Sequence, residues 1–130
     1  MLAEEGLAYF MAHDSAIIAL IGDRYEPLVV PQDKLRPAVA YRRITTPAEY
    51  SHDGPSKPDY PTIQLTIEGR NYPEAKAVAQ LIKNKLDGFR GTMGTLPVQA
   101  CYINNLIDGY NSIQQTPVVR MDIEIWCVEA

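Results

Sequence analysis

The sequence predicts an α+β fold: a mostly antiparallel sheet of about four to five strands, an N-terminal helix pair and one long helix packed on the sheet. In Thr62–Glu68, apolar and polar residues alternate with the period of a strand that buries one face. Residues 71–87 instead carry apolar side chains at helical spacing. Residues 118–127 return to a long alternation, which predicts a central antiparallel strand. Because a strand and a helix that packs back on it form a core, we expect the other strands to pair beside this unit.

Two short helices are predicted at the N-terminus. Apolar residues lie on one helical stripe up to about His13, which indicates an amphipathic first helix. Asp14 or Ser15 is suited to cap a second helix over residues 16–21, and Gly22 is suited to end it. We therefore expect a bent helical arm before the first strand.

The next part of the chain predicts two strands and a long loop. Residues 24–30 contain Pro27, which favours an edge strand or an extended segment. Ala38–Thr45 alternates and predicts a second strand. Residues 46–60 are rich in Pro, Gly and Ser and have no periodicity, so they predict a long loop. Loops of this length inside a compact domain are uncommon, and they are either functional or disordered until they meet a partner.

The boundaries of the long helix are marked by its local sequence. Asn71 with Glu74 predicts a capping box, and Pro73 fits the first turn because its missing N–H is not needed there. Gly88 predicts a left-handed residue that ends the helix. These signals place the helix within residues 71–87.

The segments after the helix predict one more strand between two irregular stretches. Residues 89–95 are glycine-rich and predict a flexible connection. Residues 96–103 predict a fourth strand, and the polar, Asn-rich residues 104–117 predict a second long loop.

Length and charge limit the classes of function. A chain of 130 residues fits a single domain, residues 1–130. Its net charge of -4 argues against a surface devoted to binding nucleic acid. The longest apolar run, residues 16–21, is too short to cross a bilayer, and Glu4 and Glu5 stand where a signal peptide carries basic residues. We expect a protein without a membrane partner that is cytosolic where it is made.

No catalytic, metal-binding or cofactor-binding pattern is present in the sequence. His13 and His52 are isolated from each other and from cysteine, and Cys101 and Cys127 lack the spacing of a metal site or a disulfide framework. We interpret the cysteines as reduced core thiols. The sequence also lacks phosphate-binding glycine loops and nucleophile motifs. We therefore expect no enzyme activity, no cofactor and no metal.

The remaining features favour protein binding. The outward positions of the last strand carry Arg120, Asp122, Glu124 and Trp126, and Arg and Trp are residue types that anchor interfaces. Trp126 could equally cover a neighbouring strand or the edge of the sheet. Several tyrosines fall in or beside the predicted loops, where they suit a protein-binding surface. The candidate interface residues are Tyr50, His52, Asp53, Tyr60, Tyr110, Arg120 and Trp126.

The order of short segments along the chain resembles the tail-completion, or tail-terminator, family of long-tailed bacteriophages and prophages. The resemblance spans nearly the whole chain and departs from the family pattern in residues 104–117. The matching segments are LIGDR at 20–24, RPAVAYRRI at 36–44, DGP at 53–55, IQLTI at 63–67, YPEA at 72–75, LDGFRG at 86–91 and RMDIEIW at 120–126.

This resemblance implies a structural subunit that forms a ring, expected to be a hexamer, on the end of a tail tube. The ring would end tube polymerisation and offer its other side to the head completion or connector protein. Phage DNA would pass through an acidic lumen without sequence-specific binding. The implied location is the tail–head junction of the virion, after assembly in the bacterial host cytoplasm, and the free subunit could be monomeric. We expect residues 46–60 and the N-terminal helix to contribute to contacts between subunits.

Two alternatives remain open. One is a head-side connector or minor tail protein of the same virion, which differs only in its position in the particle. The other is a small enzyme or ligand-binding domain with a pocket between the long helix and the sheet. That alternative requires polar groups facing inward, whereas the inner stripe of residues 71–87 is apolar.

Overall fold

A computed structural model describes residues 1–45 and 60–129, and it shows three helices and a sheet of six strands within them. The N-terminal helix pair and the long helix are present as expected, whereas the sheet has more strands than the expected four to five. The helices are α1 (Ala3–His13), α2 (Ser15–Ile21) and α3 (Tyr72–Leu86). The strands are β1 (Tyr25–Pro27), β2 (Ala38–Thr45), β3 (Thr62–Glu68), β4 (Gly91–Met93), β5 (Leu96–Asn111) and β6 (Thr116–Cys127).

The strands form one sheet in the order β1-β2-β3-β6-β5-β4. The β1 and β2 strands are parallel and the other neighbours are antiparallel, so the sheet is mixed. The last strand, β6, lies between β3 and β5, as its long alternation predicted. The first strand, β1, lies at an edge, as Pro27 predicted.

The main core lies between the helices and one face of the sheet. Side chains of α3 such as Val78 and Ile82 are fully buried against β3 and β6. The first helix approaches the sheet closely at Gly6, where an added Cβ would lie 2.6 Å from Leu96 Cδ2. No helix among the described residues has the length and apolar character required to span a membrane.

The predicted helix caps are largely confirmed. Asp14, rather than Ser15, caps α2, because its Oδ1 accepts hydrogen bonds from the backbone N–H groups of residues 16 and 17. Asn71 Oδ1 accepts a 2.9 Å hydrogen bond from the Glu74 N–H at the start of α3. The return bond of the predicted capping box is absent between these two residues, since Glu74 accepts from the Arg70 N–H instead. Gly88 has φ 78°, the left-handed conformation predicted for the helix end.

The prediction of a long loop over residues 104–117 is wrong. Strand β5 continues to Asn111, a short turn follows, and β6 begins at Thr116, so the two strands form a long hairpin. Residues 89–95 are also more ordered than predicted, because they contain the three-residue strand β4.

Two β-bulges explain why the hairpin was missed. The register of β5 against β6 shifts between Val98 and Ala100 and again between Ile103 and Asn105. Gln99 and Asn104 are therefore extra residues with no partner in β6. After each of them, the β5 residues that face the core change from even to odd numbers, or from odd to even. A strict period of two breaks at both positions, so the alternation visible in the sequence ends at residue 103.

Two polar clusters fix the ends of the sheet. Glu68 is 3% exposed and accepts a hydrogen bond of 2.6 Å from Thr116 Oγ1, and the Arg36 guanidinium lies 3.8 Å from its carboxylate. At the other end, Arg43 forms ion pairs with Glu4 of α1 and with Glu129. The Arg43 cluster thus ties the first helix and the last described residue to β2.

Candidate interaction surface

The face of the sheet opposite the helices, here called the outer face, carries the predicted interface residues of β6. Directly paired residues of antiparallel strands point to the same side, so the strand register defines this face. On β6 it includes Arg120, Asp122, Glu124 and Trp126, which alternate with core residues. The neighbouring strands add mainly polar side chains, among them Arg42, Gln64, Thr66 and Asn105.

A row of hydrogen bonds crosses three strands of the outer face. Arg42 Nε donates to Gln64 Oε1 at 3.1 Å, and Gln64 Nε2 donates to Asp122 Oδ1 at 3.1 Å. The Asp122 carboxylate is therefore held by an amide from β3.

Three aromatic rings, here called the aromatic cluster, lie at one end of the outer face. Tyr60 stacks on Trp126 with ring centroids 5.2 Å apart, and Tyr102 meets Trp126 edge-on at 6.5 Å. Trp126 remains 36% exposed and Tyr102 48% exposed. Trp126 thus packs on Tyr60 while part of its ring remains exposed.

Arg120 and Tyr110 lie at the other end of the hairpin. Arg120 precedes Trp126 by six residues of β6, a separation of about 20 Å along a strand. Its guanidinium lies against Gly109, where an added Cβ would be 2.6 Å from Nη1. Tyr110 is 61% exposed, but it is paired with Pro117 and therefore points to the helix side of the sheet, away from Arg120. The described interface candidates therefore lie in three places rather than one: Trp126 with Tyr60, Arg120 at the other end of the outer face, and Tyr110 on the opposite side of the sheet. Tyr50, His52 and Asp53 lie outside the described residues.

A cavity of about 270 Å³ opens on the outer face near Arg120. Its charged lining groups are Arg42, Arg120 and Glu68. Glu68 pairs with Arg36, whereas the two cavity arginines have no carboxylate partner within the described ranges 1–45 and 60–129. The cavity therefore presents two guanidinium groups to an incoming group, and carboxylates and phosphates are the groups that guanidinium binds best.

Sequence reasoning missed two exposed residues of this surface. Tyr102 was assigned to a strand, but its contact with Trp126 depends on the pairing of β5 with β6. Ile107 is 50% exposed and was assigned to a loop, because the bulge at Asn104 hides the continuation of the strand. No local signal in the sequence identifies either one as an interface residue.

Both cysteine side chains lie in the core. Cys101 and Cys127 are buried, and burial, followed by the nearby Asp87 and Cys127, raises the pKa of Cys101 to about 12. A thiol with such a pKa is protonated at neutral pH and is a poor nucleophile. Within the part of the chain that the structure describes, no group of three or more His, Cys, Asp and Glu side chains could hold a metal ion.

The fold is an α+β domain in which three helices cover one face of a mixed six-stranded sheet. It is similar to a chain in the virion of a native gene transfer agent (GTA) particle, with a TM-score of 0.75 and 12% sequence identity. The similarity covers 95% of this chain and 94% of that chain. At this identity the likeness shows a shared fold. No family model and no curated protein matches the sequence.

Proposed function

We propose that this chain is a structural component of a phage-like virion that forms a ring on the tail tube, ends tube polymerisation and joins the tail to the head. The observation that carries the proposal is the similarity in fold to a chain of a gene transfer agent virion over nearly the full length of both chains. The order of sequence segments, which resembles the tail-terminator family, supports the same role independently. The role consists of recognition without catalysis.

The outer face carries side chains suited to this recognition. Its aromatic cluster combines partly exposed Trp126 and Tyr102, which offer large contact areas with few rotatable bonds. The cavity beside Arg42 and Arg120 suits an acidic side chain of a partner. A ring requires two different surfaces of each subunit to meet, and we assign the outer face to one of them.

The net charge of -4 supports passage of DNA rather than DNA binding. An acidic lumen repels the phosphate backbone and lets the duplex slide. Purified protein is expected to show no tight, salt-sensitive binding to duplex DNA. Such binding would contradict the conduit role.

Electron microscopy of particles assembled without this protein tests the proposed role. We expect tail tubes of irregular length that do not join heads. Tubes of normal, uniform length that join heads would eliminate the terminator function. Tubes of normal length beside unattached heads would instead support the alternative, a head-side connector or minor tail protein.

Variants of the aromatic cluster test the assignment of the surface. Trp126→Ala is expected to reduce the yield of joined particles in a complementation assay while the purified variant stays folded. Leu20→Ala is the matched control, because Leu20 is exposed to a similar extent, 38%, on α2. Equal yields for the two variants would remove the aromatic cluster from the proposed interface.

A further inference from the structure

One edge of the sheet is only partly covered. Strand β4 pairs with the first residues of β5, from Leu96 to Val98. Beyond them, the end of α3 supplies the next contacts: the Gly88 N–H donates to the Cys101 carbonyl at 2.8 Å, and the Ile103 N–H lies 3.5 Å from Asp87 Oδ1. After the bulge at Asn104, no described strand pairs with this side of β5.

The backbone groups at this open edge belong to Leu106, Asp108 and Tyr110. The Leu106 N–H donates to its neighbour Asn105 Oδ1 at 3.1 Å, and Tyr110 is opposite Pro117, which has no N–H to exchange. Alternate residues of an antiparallel pair point their N–H and C=O groups away from the partner strand. Both observations place residues 106, 108 and 110 on the outward side. The open edge is therefore a row of peptide groups five residues long.

The side chains beside the open edge are exposed and largely apolar. Ile107 is 50% exposed and Tyr110 61% exposed. Asp108 is the one charged residue between positions 106 and 110. Its carboxylate accepts a 2.6 Å hydrogen bond from the Tyr72 hydroxyl and lies 3.1 Å from Lys76 Nζ. The edge thus lacks the unpaired charges and prolines that commonly prevent strands from pairing with other chains.

The opposite edge of the sheet is closed. Strand β1 is three residues long and ends at Pro27, which has no N–H. On its outward side the Tyr25 N–H donates to the Asp23 carbonyl at 2.9 Å, and the Pro27 carbonyl accepts from the Val29 N–H at 2.8 Å. Strand β5 of one copy therefore cannot extend the sheet of another copy by pairing with its β1.

We propose that a second copy of this chain pairs antiparallel along the open edge, with Asp108 at the two-fold axis. This pairing sets Leu106 of each copy opposite Tyr110 of the other, an apolar cross-strand pair. Each copy brings its own Lys76 together with Asp108, so the four charges at the axis sum to zero. Two-fold pairs are the commonest closed assemblies, and the contact uses one self-complementary edge. The inference goes beyond the proposed ring and describes the free subunit.

Cysteine pairing reports the register directly. We expect a mixture of the Leu106→Cys and Tyr110→Cys variants to form disulfide-linked dimers under mild oxidation, because these positions face each other across the axis. Either variant alone is expected to give none, since like positions are then four residues out of register. Linked dimers in the single-variant samples, or none in the mixture, would overturn the proposed pairing.

Analytical sedimentation of the purified chain across a dilution series tests whether the open edge of β5 mediates dimer formation. Wild type is expected to sediment as a dimer that dissociates on dilution, and Ile107→Lys as a monomer because a lysine beside the edge opposes strand pairing. Ile113→Lys is the matched control, since Ile113 is 85% exposed in the hairpin turn and lies outside β5. The proposal would be refuted if wild type sediments as a monomer at every concentration or forms only rings. It would also be refuted if the two lysine variants change the sedimentation of the protein equally. None of these results bears on tail length in assembled particles, so the two proposals fail separately.

Discussion

Trp126 and Tyr60 stack with their ring centroids 5.2 Å apart and their planes inclined by 26°, so the last strand contacts the segment that leads into β3. A stacked aromatic pair stabilises a fold by about 1 kcal/mol beyond its area burial. We expect a double-mutant cycle of Trp126→Ala and Tyr60→Ala, followed by urea unfolding, to give a coupling free energy of about 1 kcal/mol. Additive effects would mean that the two rings pack independently.

Loss of the buried carboxylate at Glu68 is expected to be strongly destabilising. Glu68→Ala removes the acceptor of Thr116 and leaves the Arg36 guanidinium, whose side chain is 8% exposed, without its carboxylate. Removing one member of a buried ion pair costs about 3 kcal/mol. Denaturant unfolding measures this change in the free energy of unfolding.

The matched control for Glu68 is Glu74→Ala on the surface of α3. Its partner Arg70 lies four residues away on the same helix, and the Arg70 side chain is 70% exposed. An exposed pair of this kind contributes little because solvent screens it. If the two alanine variants lose similar stability, the Arg36–Glu68 pair is not the buried contact described above.

The carboxylate of Glu129 is expected to make the free energy of unfolding depend on pH. Burial alone would raise its pKa, but hydrogen bonds from Arg43 and from the Ala3 N–H outweigh burial and lower the pKa of Glu129. A carboxyl with a lowered pKa in the folded state stabilises the fold above its unfolded pKa, about 4.3. That contribution is lost as the pH falls through the lowered folded value.

Glu129→Gln should therefore destabilise the protein at pH 7 by about 1 kcal/mol and flatten the loss of stability below about pH 5. Thermal unfolding from pH 7 to pH 3 measures both effects. Glu26→Gln is the control, since Glu26 pairs with Lys34 at the surface. An unchanged pH profile for Glu129→Gln would contradict the role given to the Arg43 cluster.

The two cysteines are expected to resist thiol reagents in the folded state. Both are buried, and burial is the main cause of the raised pKa of Cys101, about 12. A reagent that reacts with thiolates should label neither residue at pH 8 and should label both in denaturant. Rapid labelling of the native protein would show that one of these thiols is accessible.

The parts of the fold that the sequence predicted are those governed by local chemistry. The strand Thr62–Glu68 and the helix Tyr72–Leu86 follow from regular periodicity and from the Asn71 cap. The three-residue strand β4 was missed because it is too short to show a pattern. The distal half of β5 was missed because Asn104 shifts its register. Periodicity detects a strand only while its pairing is regular.

The candidate site was predictable in part. Trp126 and Arg120 were assigned to the outward positions of the last strand, where the structure places them. The separation of the interface candidates into three places and the contact of Trp126 with Tyr102 depend on strand pairing, which one sequence does not encode locally. The cavity beside Arg42 and Arg120 likewise brings together residues from strands distant in the chain.

The bulges at Gln99 and Asn104 also have a consequence for sequence comparison. Each adds one residue to β5 without lengthening β6, so a chain of this fold that lacks a bulge is one residue shorter inside a strand. Alignments of such chains should therefore place single-residue gaps within β5. If an alignment places this gap in the hairpin turn instead, core residues of one chain are aligned with solvent-facing residues of the other along the strand. The sequence similarity between the two chains is then underestimated.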